Sequence, residues 1–204
     1  MDKYVVLDLE MCNVVGEARE QLGTGQELIQ IGAVLLDSEY NIIDHFDTLV
    51  KPEYGKIDEK IEKLTNISQK DVEKAPTTYE ALKRLSDWIP EDSTLVTWSE
   101  NDTIQIDDEL YYKDITIPKL YHYIEEYIDC QVLFSNKMHT SRKYQLVEAV
   151  TIANVDYDEN IHNAYTDAYN TALLFKKLQT EEHFTISPYY MTKDQIFDPF
   201  KIKR

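Results

Sequence analysis

Three apolar runs within the first fifty residues, at 4–10, 28–36 and 42–50, constrain this chain more than any other feature. In the first, Val5, Leu7 and Leu9 alternate with Val6, Asp8 and Glu10, the period of two that sends successive side chains to opposite faces of a strand. Between the second and third lies Asp37-Ser38-Glu39-Tyr40-Asn41, a turn-forming stretch, so the spacing predicts a three-strand antiparallel meander. The pattern then turns helical. Ser68 with Asp71, and Thr77 with Glu80 after Pro76, have capping-box spacing, and Pro90 closes the run that contains Leu82, Leu85 and Ile89. A fourth strand is expected at 95–98, a helix at 101–112, a fifth strand at 128–134, and helices at 143–152 and 163–178. The class is α/β, a mixed five-stranded sheet flanked by helices.

No period recurs and no linker-like stretch interrupts the pattern, so residues 1–180 read as one domain. The remainder, 181–204, carries aromatic residues without a clear period and reads as a tail, packed or partner-binding; the residues name no protein partner. A chain of 204 residues can bury roughly 70% of the surface its unfolded form exposes, enough for a cleft-bearing enzyme. No apolar run approaches the roughly 20 residues of a membrane span, and Met1-Asp2 leads directly into a strand without the marks of a secretory signal. A cytoplasmic protein with no membrane partner is the expectation.

The net charge of -17, from 21 basic and 38 acidic residues, argues against gripping long duplexes through counterion release. Any contact with nucleic acid must be local, and a polyanion entering so acidic a chain needs divalent cations to neutralise the site. Cys12 and Cys130 lie far apart, with no CxxC spacing, so neither a zinc site nor a disulfide framework is indicated.

Three groups of residues carry chemistry. Asp8 and Glu10, two apart on a strand, project from one face about 7 Å apart along the backbone. At that spacing two carboxylates repel by roughly 2 to 3 kcal/mol unless one protonates or a cation lies between them. His162 and Asp167 are five apart, about 140° round a helix, and converge only if His162 precedes the helix and Asp167 lies in its early turns. Asp102 follows the short strand through Trp98 and sits at a strand-to-helix junction, where α/β proteins place their sites. Asp107 and Asp108 compete with it but fall inside the helical stretch, and Asp107 is the alternative.

Together these residues resemble the motifs of the DEDDh (DnaQ-like) family of 3′–5′ exonucleases, nearest its exoribonuclease branch. Asp8-Leu9-Glu10 matches the first motif, Asp102 the second, and His162 through Asp167 the third, His-x4-Asp. Glu27-Leu28-Ile29-Gln30-Ile31-Gly32-Ala33-Val34 looks like the family's second strand, Val50-Lys51-Pro52 like the close of its third, and Leu64-Thr65-Asn66-Ile67-Ser68 like its Leu-Thr-Gly-Ile-Thr segment. Asp167-Ala168-Tyr169-Asn170-Thr171-Ala172 is similar to the family's Asp-Ala-x-x-Thr-Ala, and the likeness covers residues 4–178. The departures are Asn66 in place of Gly, Ser99 in place of Gly after Trp98, and Met11 after Glu10 as in oligoribonuclease-like members. None removes a catalytic carboxylate.

The resemblance implies a ribonuclease-H-like fold, the meander plus two parallel strands, and hydrolysis of single-stranded RNA or DNA from the 3′ end to nucleoside 5′-monophosphates. It implies two divalent cations, Mg²⁺ or Mn²⁺, held by Asp8, Glu10 and Asp167, with Asp102 acting directly or through water. It makes His162 the general base, since an imidazole exchanges protons near neutral pH. Met11, Leu64 and Ile67 resemble positions packed round the terminal base, although Leu64 and Ile67 serve equally as core. Lys137, Arg142 and Lys143 form a basic stretch that either guides phosphates or is a solvated loop. Tyr111, Tyr112, Tyr121, Tyr123 and Tyr127 either stack bases or pack in the core. A catalytically silent domain that binds nucleic acid or protein is the alternative function.

Overall fold

A computed structural model describes residues 3–182; most of the expected tail, 183–204, lies outside the described residues. The chain runs β1 (Lys3–Asn13), α1 (Glu17–Leu22), β2 (Gln26–Leu36), β3 (Ile42–Leu49), α2 (Glu59–Thr65), α3 (Gln69–Val72), α4 (Thr78–Trp88), β4 (Ser93–Thr97), α5 (Glu100–Tyr112), α6 (Pro118–Glu125), β5 (Tyr127–Asp129), α7 (Cys130–Lys137), α8 (Leu146–Ile152) and α9 (Ala164–Thr180). The strands form one mixed sheet in the order β3-β2-β1-β4-β5. β1, β2 and β3 are the antiparallel meander, and β4 and β5 run parallel to β1. This is the ribonuclease-H-like arrangement. Among the described residues no helix is long and apolar enough to cross a membrane.

β1 is the central strand, and its alternation divides the core in two. Val5, Leu7 and Leu9 pack with Leu82, Leu85, Ile106, Leu110 and Leu120 from α4, α5 and α6. Val6 faces the other way, with Val34 and Val96, onto Phe134, Ala149, Val150, Ala172 and Phe175 from α7, α8 and α9. Asp8 and Glu10 share the parity of Val6 and so point toward the α9 side. Both capping boxes form: Ser68 with Asp71 opens α3, and Thr77 with Glu80 opens α4. Asn66, at φ 58°, ends α2 in the left-handed region that Asn tolerates better than most residues, and its backbone N–H donates to the Glu62 carbonyl.

One expectation needs correction. The fifth strand is only Tyr127–Asp129, and residues 130–134, read as strand, begin α7. The Asp129 side chain accepts the Val132 N–H at 2.8 Å and starts a helix in which Phe134 still reaches the core. The short helix α1, capped at its C-terminus by Gly23 at φ 73°, was not foreseen, because its six residues have no apolar period. Of the tyrosines, Tyr123 is buried and Tyr121 and Tyr127 pack against the same core, whereas Tyr111 and Tyr112 are exposed on α5.

One contact ties the third motif to the sheet. Gly32 pairs with Asp8, and a Cβ built on it would lie 2.1 Å from the Tyr165 nitrogen and 2.2 Å from the Ala164 carbonyl carbon. The first turn of α9 therefore rests on β2 with no room for a side chain. Replacing Gly32 with Ala should force α9 outward and cost about 1–3 kcal/mol, read as a lower urea midpoint with an unchanged slope. An unaltered midpoint would show that α9 is not held against the strand at this distance.

Candidate active site

The site forms where β1 outruns its parallel neighbour. β4 pairs with β1 only as far as Leu7 and Thr97, while β1 continues to Asn13 against β2. Asp8 and Glu10 thus lie beyond the end of β4, in the crevice at the carboxyl ends of parallel strands. The β1–β2 register shifts between Glu10 and Met11, with Gln30 opposite Glu10 and Leu28 opposite Met11, a bulge of the kind found beside functional sites.

Asp102 lies in the first turn of α5, after the Ser99 N-cap, and is 6% exposed. Its carboxylate accepts the backbone N–H of Leu9, between Asp8 and Glu10. Asp107 sits on the exposed side of the same helix, facing away. His162 precedes α9 in a left-handed conformation, φ 62°, and its backbone N–H donates to the Asp167 carboxylate at 2.9 Å. Asn163 caps the helix by accepting the Thr166 N–H at 3.2 Å. The Ala164 N–H donates to Gln30 Oε1 at 3.1 Å, and Gln30 Nε2 donates to Asp47 at 2.9 Å, so one side chain fixes the start of α9 to β2 and β3.

These placements bring Glu10, His162 and Asp167 together, with one ligand atom of each within 4.8 Å of the others. Asp8 feels the charges of Asp102, Asp167 and Glu10. Burial, followed by those three repulsions, raises the Asp8 carboxyl well above its ordinary value. Burial pushes Glu10 up to about 8, with Asp167 and Asp102 adding to it. Burial likewise pushes Asp102 up to about 7 against the opposing Leu9 N–H, and Asp167 and Asp129 contribute repulsion. Asp167 is raised by burial, against the N–H and charge of His162. Hard oxygen donors crowded in this way fit a divalent cation of the Mg²⁺ or Mn²⁺ type, whose charge would remove the repulsion.

The residues expected to contact substrate differ in burial and in partners. Ile67 is 5% exposed in a core cluster with Cys12, Ile29, Ile57 and Val72, whereas Leu64 is exposed and Met11 is partly buried against the other side of the sheet. Arg142 donates to both Glu148 oxygens and lies over the Tyr144 ring, 4.6 Å from its centroid. Lys143 pairs with Glu100 in the first turn of α5 at 3.0 Å, two residues from Asp102. Both cations stay exposed. Asp129 was missed as a neighbour of Asp102 because its segment read as uninterrupted strand. Gln30 was missed because nothing in a single Gln signals a bridge between a helix and a strand.

Comparison with known proteins agrees with this arrangement. A family model described as an exonuclease (RNase T type) matches residues 5–175. A curated zebrafish (Danio rerio) protein, ERI1 exoribonuclease 2, is 27% identical over 188 residues, covering 80% of this chain and 33% of that one. The chain therefore spans about a third of the length of that relative. A full-length 3′-exonuclease structure superposes with a TM-score of 0.75 at 22% identity, covering 91% of this chain and 85% of that one. The 3′-exonuclease structure described as giving 3′-end specific recognition of a histone mRNA stem-loop has a TM-score of 0.73 at 21% identity, covering 91% and 66%. Exonuclease I of E. coli with a dT13 oligonucleotide gives 0.67 at 14% identity, covering 88% and 41%. At these identities the solved structures establish the fold.

The raised carboxyls determine how stability changes with pH. In the unfolded chain they titrate near 4. Below that pH both states are protonated and the site costs nothing; between about 4 and the folded values, about 7 for Asp102 and about 8 for Glu10, the unfolded chain releases protons first and the folded state loses ground. The thermal midpoint in chelator should fall between pH 5 and pH 8, and Asp8→Asn should flatten the fall. An identical slope in that variant would contradict the crowding.

Proposed function

The chain belongs to the exonuclease family, and from that premise we propose that it is a metal-dependent 3′–5′ exonuclease whose active unit is residues 1–180 and whose substrate is a single-stranded 3′ end, RNA before DNA. The observation that carries the reading is the convergence of Glu10, His162 and Asp167 within 4.8 Å, beside Asp8 and Asp102. In this proposal Asp8, Glu10 and Asp167 hold two Mg²⁺ or Mn²⁺ ions, and Asp102 supports them directly or through water. Bound divalent cations supply neutralising charge at the scissile phosphate and make an attacking water more acidic.

The chain's own residues do the rest. The His162 imidazole, exposed at the rim while its backbone N–H is fixed to Asp167, accepts the proton of the attacking water. The buried face of Asp102, on the Leu9 N–H, keeps α5 registered against the strand that carries Asp8 and Glu10. Lys143, exposed beside the first turn of α5, and Arg142, exposed and paired with Glu148 of α8, offer positive charge to the incoming phosphates in an otherwise acidic chain. Leu64, exposed at the end of α2, and Met11 are proposed to contact the terminal base. Ile67, buried with Cys12, Ile29 and Ile57, is read as core. The preference for RNA rests on the family's exoribonuclease relative and on Met11.

Matched 5′-labelled single-stranded RNA and DNA, incubated with Mg²⁺, Mn²⁺ or chelator, test the proposal. Shortening from the 3′ end with release of nucleoside 5′-monophosphates is expected, faster on RNA and absent in chelator. Asp8→Ala should stay folded and abolish turnover, and His162→Gln should lower kcat by about 10²–10⁴-fold. Normal Mg²⁺-dependent activity in folded Asp8→Ala would remove the assignment. Metal binding without turnover on either substrate would identify a silent binding module.

A further inference from the structure

The bulge opposite Glu10 is held by a buried charge network that the proposed chemistry does not use. Beyond the bulge, Leu28 packs in the same cluster as Ile31 and Ala33, whereas Ile29 joins Cys12, Ile57 and Ile67 on the other side. The bulge thus reverses the parity of β2. The Leu28 N–H donates to Glu109 Oε1 at 2.8 Å. Glu109 is 1% exposed, two turns along α5 from Asp102 and on the same buried face. Gln105, between them, donates to the same Glu109 oxygen at 3.1 Å and to the Gln26 carbonyl at 3.3 Å.

The other Glu109 oxygen lies 2.8 Å from Lys113 Nζ, and that ammonium also reaches Glu27 at 2.5 Å and Thr78 Oγ1 at 2.7 Å. Glu27, fully buried and paired with Cys12 of β1, accepts the backbone N–H groups of Glu53, Tyr54 and Gly55. Side-chain carboxylates of α5 therefore bond to the backbone on both sides of the bulge: Asp102 to Leu9 of β1, and Glu109 to Leu28 of β2.

We propose that Glu109 is a positioning residue. By pinning the bulge in β2 through Leu28, it fixes where β1 presents Glu10 to Asp167 and His162, and so sets the affinity of the carboxylate cluster for its cation. This rests on the exonuclease reading and deepens it. Glu109 touches neither substrate nor metal, and acts only through the strand.

Removing Glu109 leaves Lys113 paired with Glu27 and strands no charge, whereas removing Lys113 would leave buried carboxylate without its cation. Glu109→Leu replaces the carboxylate with apolar volume and deprives the Leu28 N–H of its acceptor, while Glu27 keeps Lys113 and its three backbone donors. Glu109→Gln keeps an acceptor for the Leu28 N–H. Mn²⁺ binding is measured by titration calorimetry on the 204-residue chain and both variants, with circular dichroism to establish folding and kcat and KM determined at saturating Mn²⁺.

Glu109→Leu should remain folded, bind Mn²⁺ about 10–100-fold more weakly, as loss of supporting bonds to a metal site does, and lose kcat with little change in KM. Glu109→Gln should recover most of the affinity. A folded Glu109→Leu variant with Mn²⁺ affinity and kcat within twofold of the unaltered chain would overturn the role of Glu109 and leave the exonuclease reading intact. Absence of Mn²⁺ binding by the unaltered chain would overturn both.

Discussion

The structure is organised round the mutual repulsion of carboxylates that the fold holds too close and too dry to be ionised together without a cation. Asp8, Glu10, Asp102 and Asp167 come from three segments of the chain, and each carboxyl is raised first by burial. Such a cluster separates unless something stiffer than its own contacts holds it. The restraints are all on the backbone: the Leu9 N–H on Asp102, the His162 N–H on Asp167, and the first turn of α9 seated on Gly32. Apolar packing on both faces of β1 supplies the stiffness, and the scaffold opposes a force that a divalent cation would relieve.

Much of this was legible in the residues. The alternation from Val5 to Glu10 identified the strand and the face its carboxylates share, because a period of two has one geometric meaning. The five-residue separation of His162 and Asp167 required the helix to start between them, and Asn163 caps it there. The spacings of Ser68 with Asp71 and Thr77 with Glu80 were sufficient to locate two helix starts, since a capping box is a local interaction.

What could not be read was decided by partners distant in sequence. Cys130 through Phe134 is apolar enough for either a strand or a helix, and the Asp129 side chain settles it by taking the Val132 N–H. Ile67, just beyond the Asn66 cap of α2, and Leu64, in the last turn of that helix, differ in burial because the Cys12–Ile57 cluster covers only the first. Glu109 and Lys113 have the spacing of an ordinary solvent-facing helix pair. Only the fold reveals that Glu27, 86 residues from Lys113, closes the pair into a buried triad. The bulge is invisible for the same reason: it is a property of two strands together.

Gly32 has a broader consequence. The separation between the half of the site on β1 and the half on α9 is gauged by main chain resting on main chain, at a point where no side chain enters. Elsewhere in a core, a methylene gained or lost shifts the neighbouring elements. Here the thickness of the join is a constant of the peptide backbone. The surrounding apolar residues are therefore free to drift in identity over long divergence while the carboxylates on either side of the join keep their spacing.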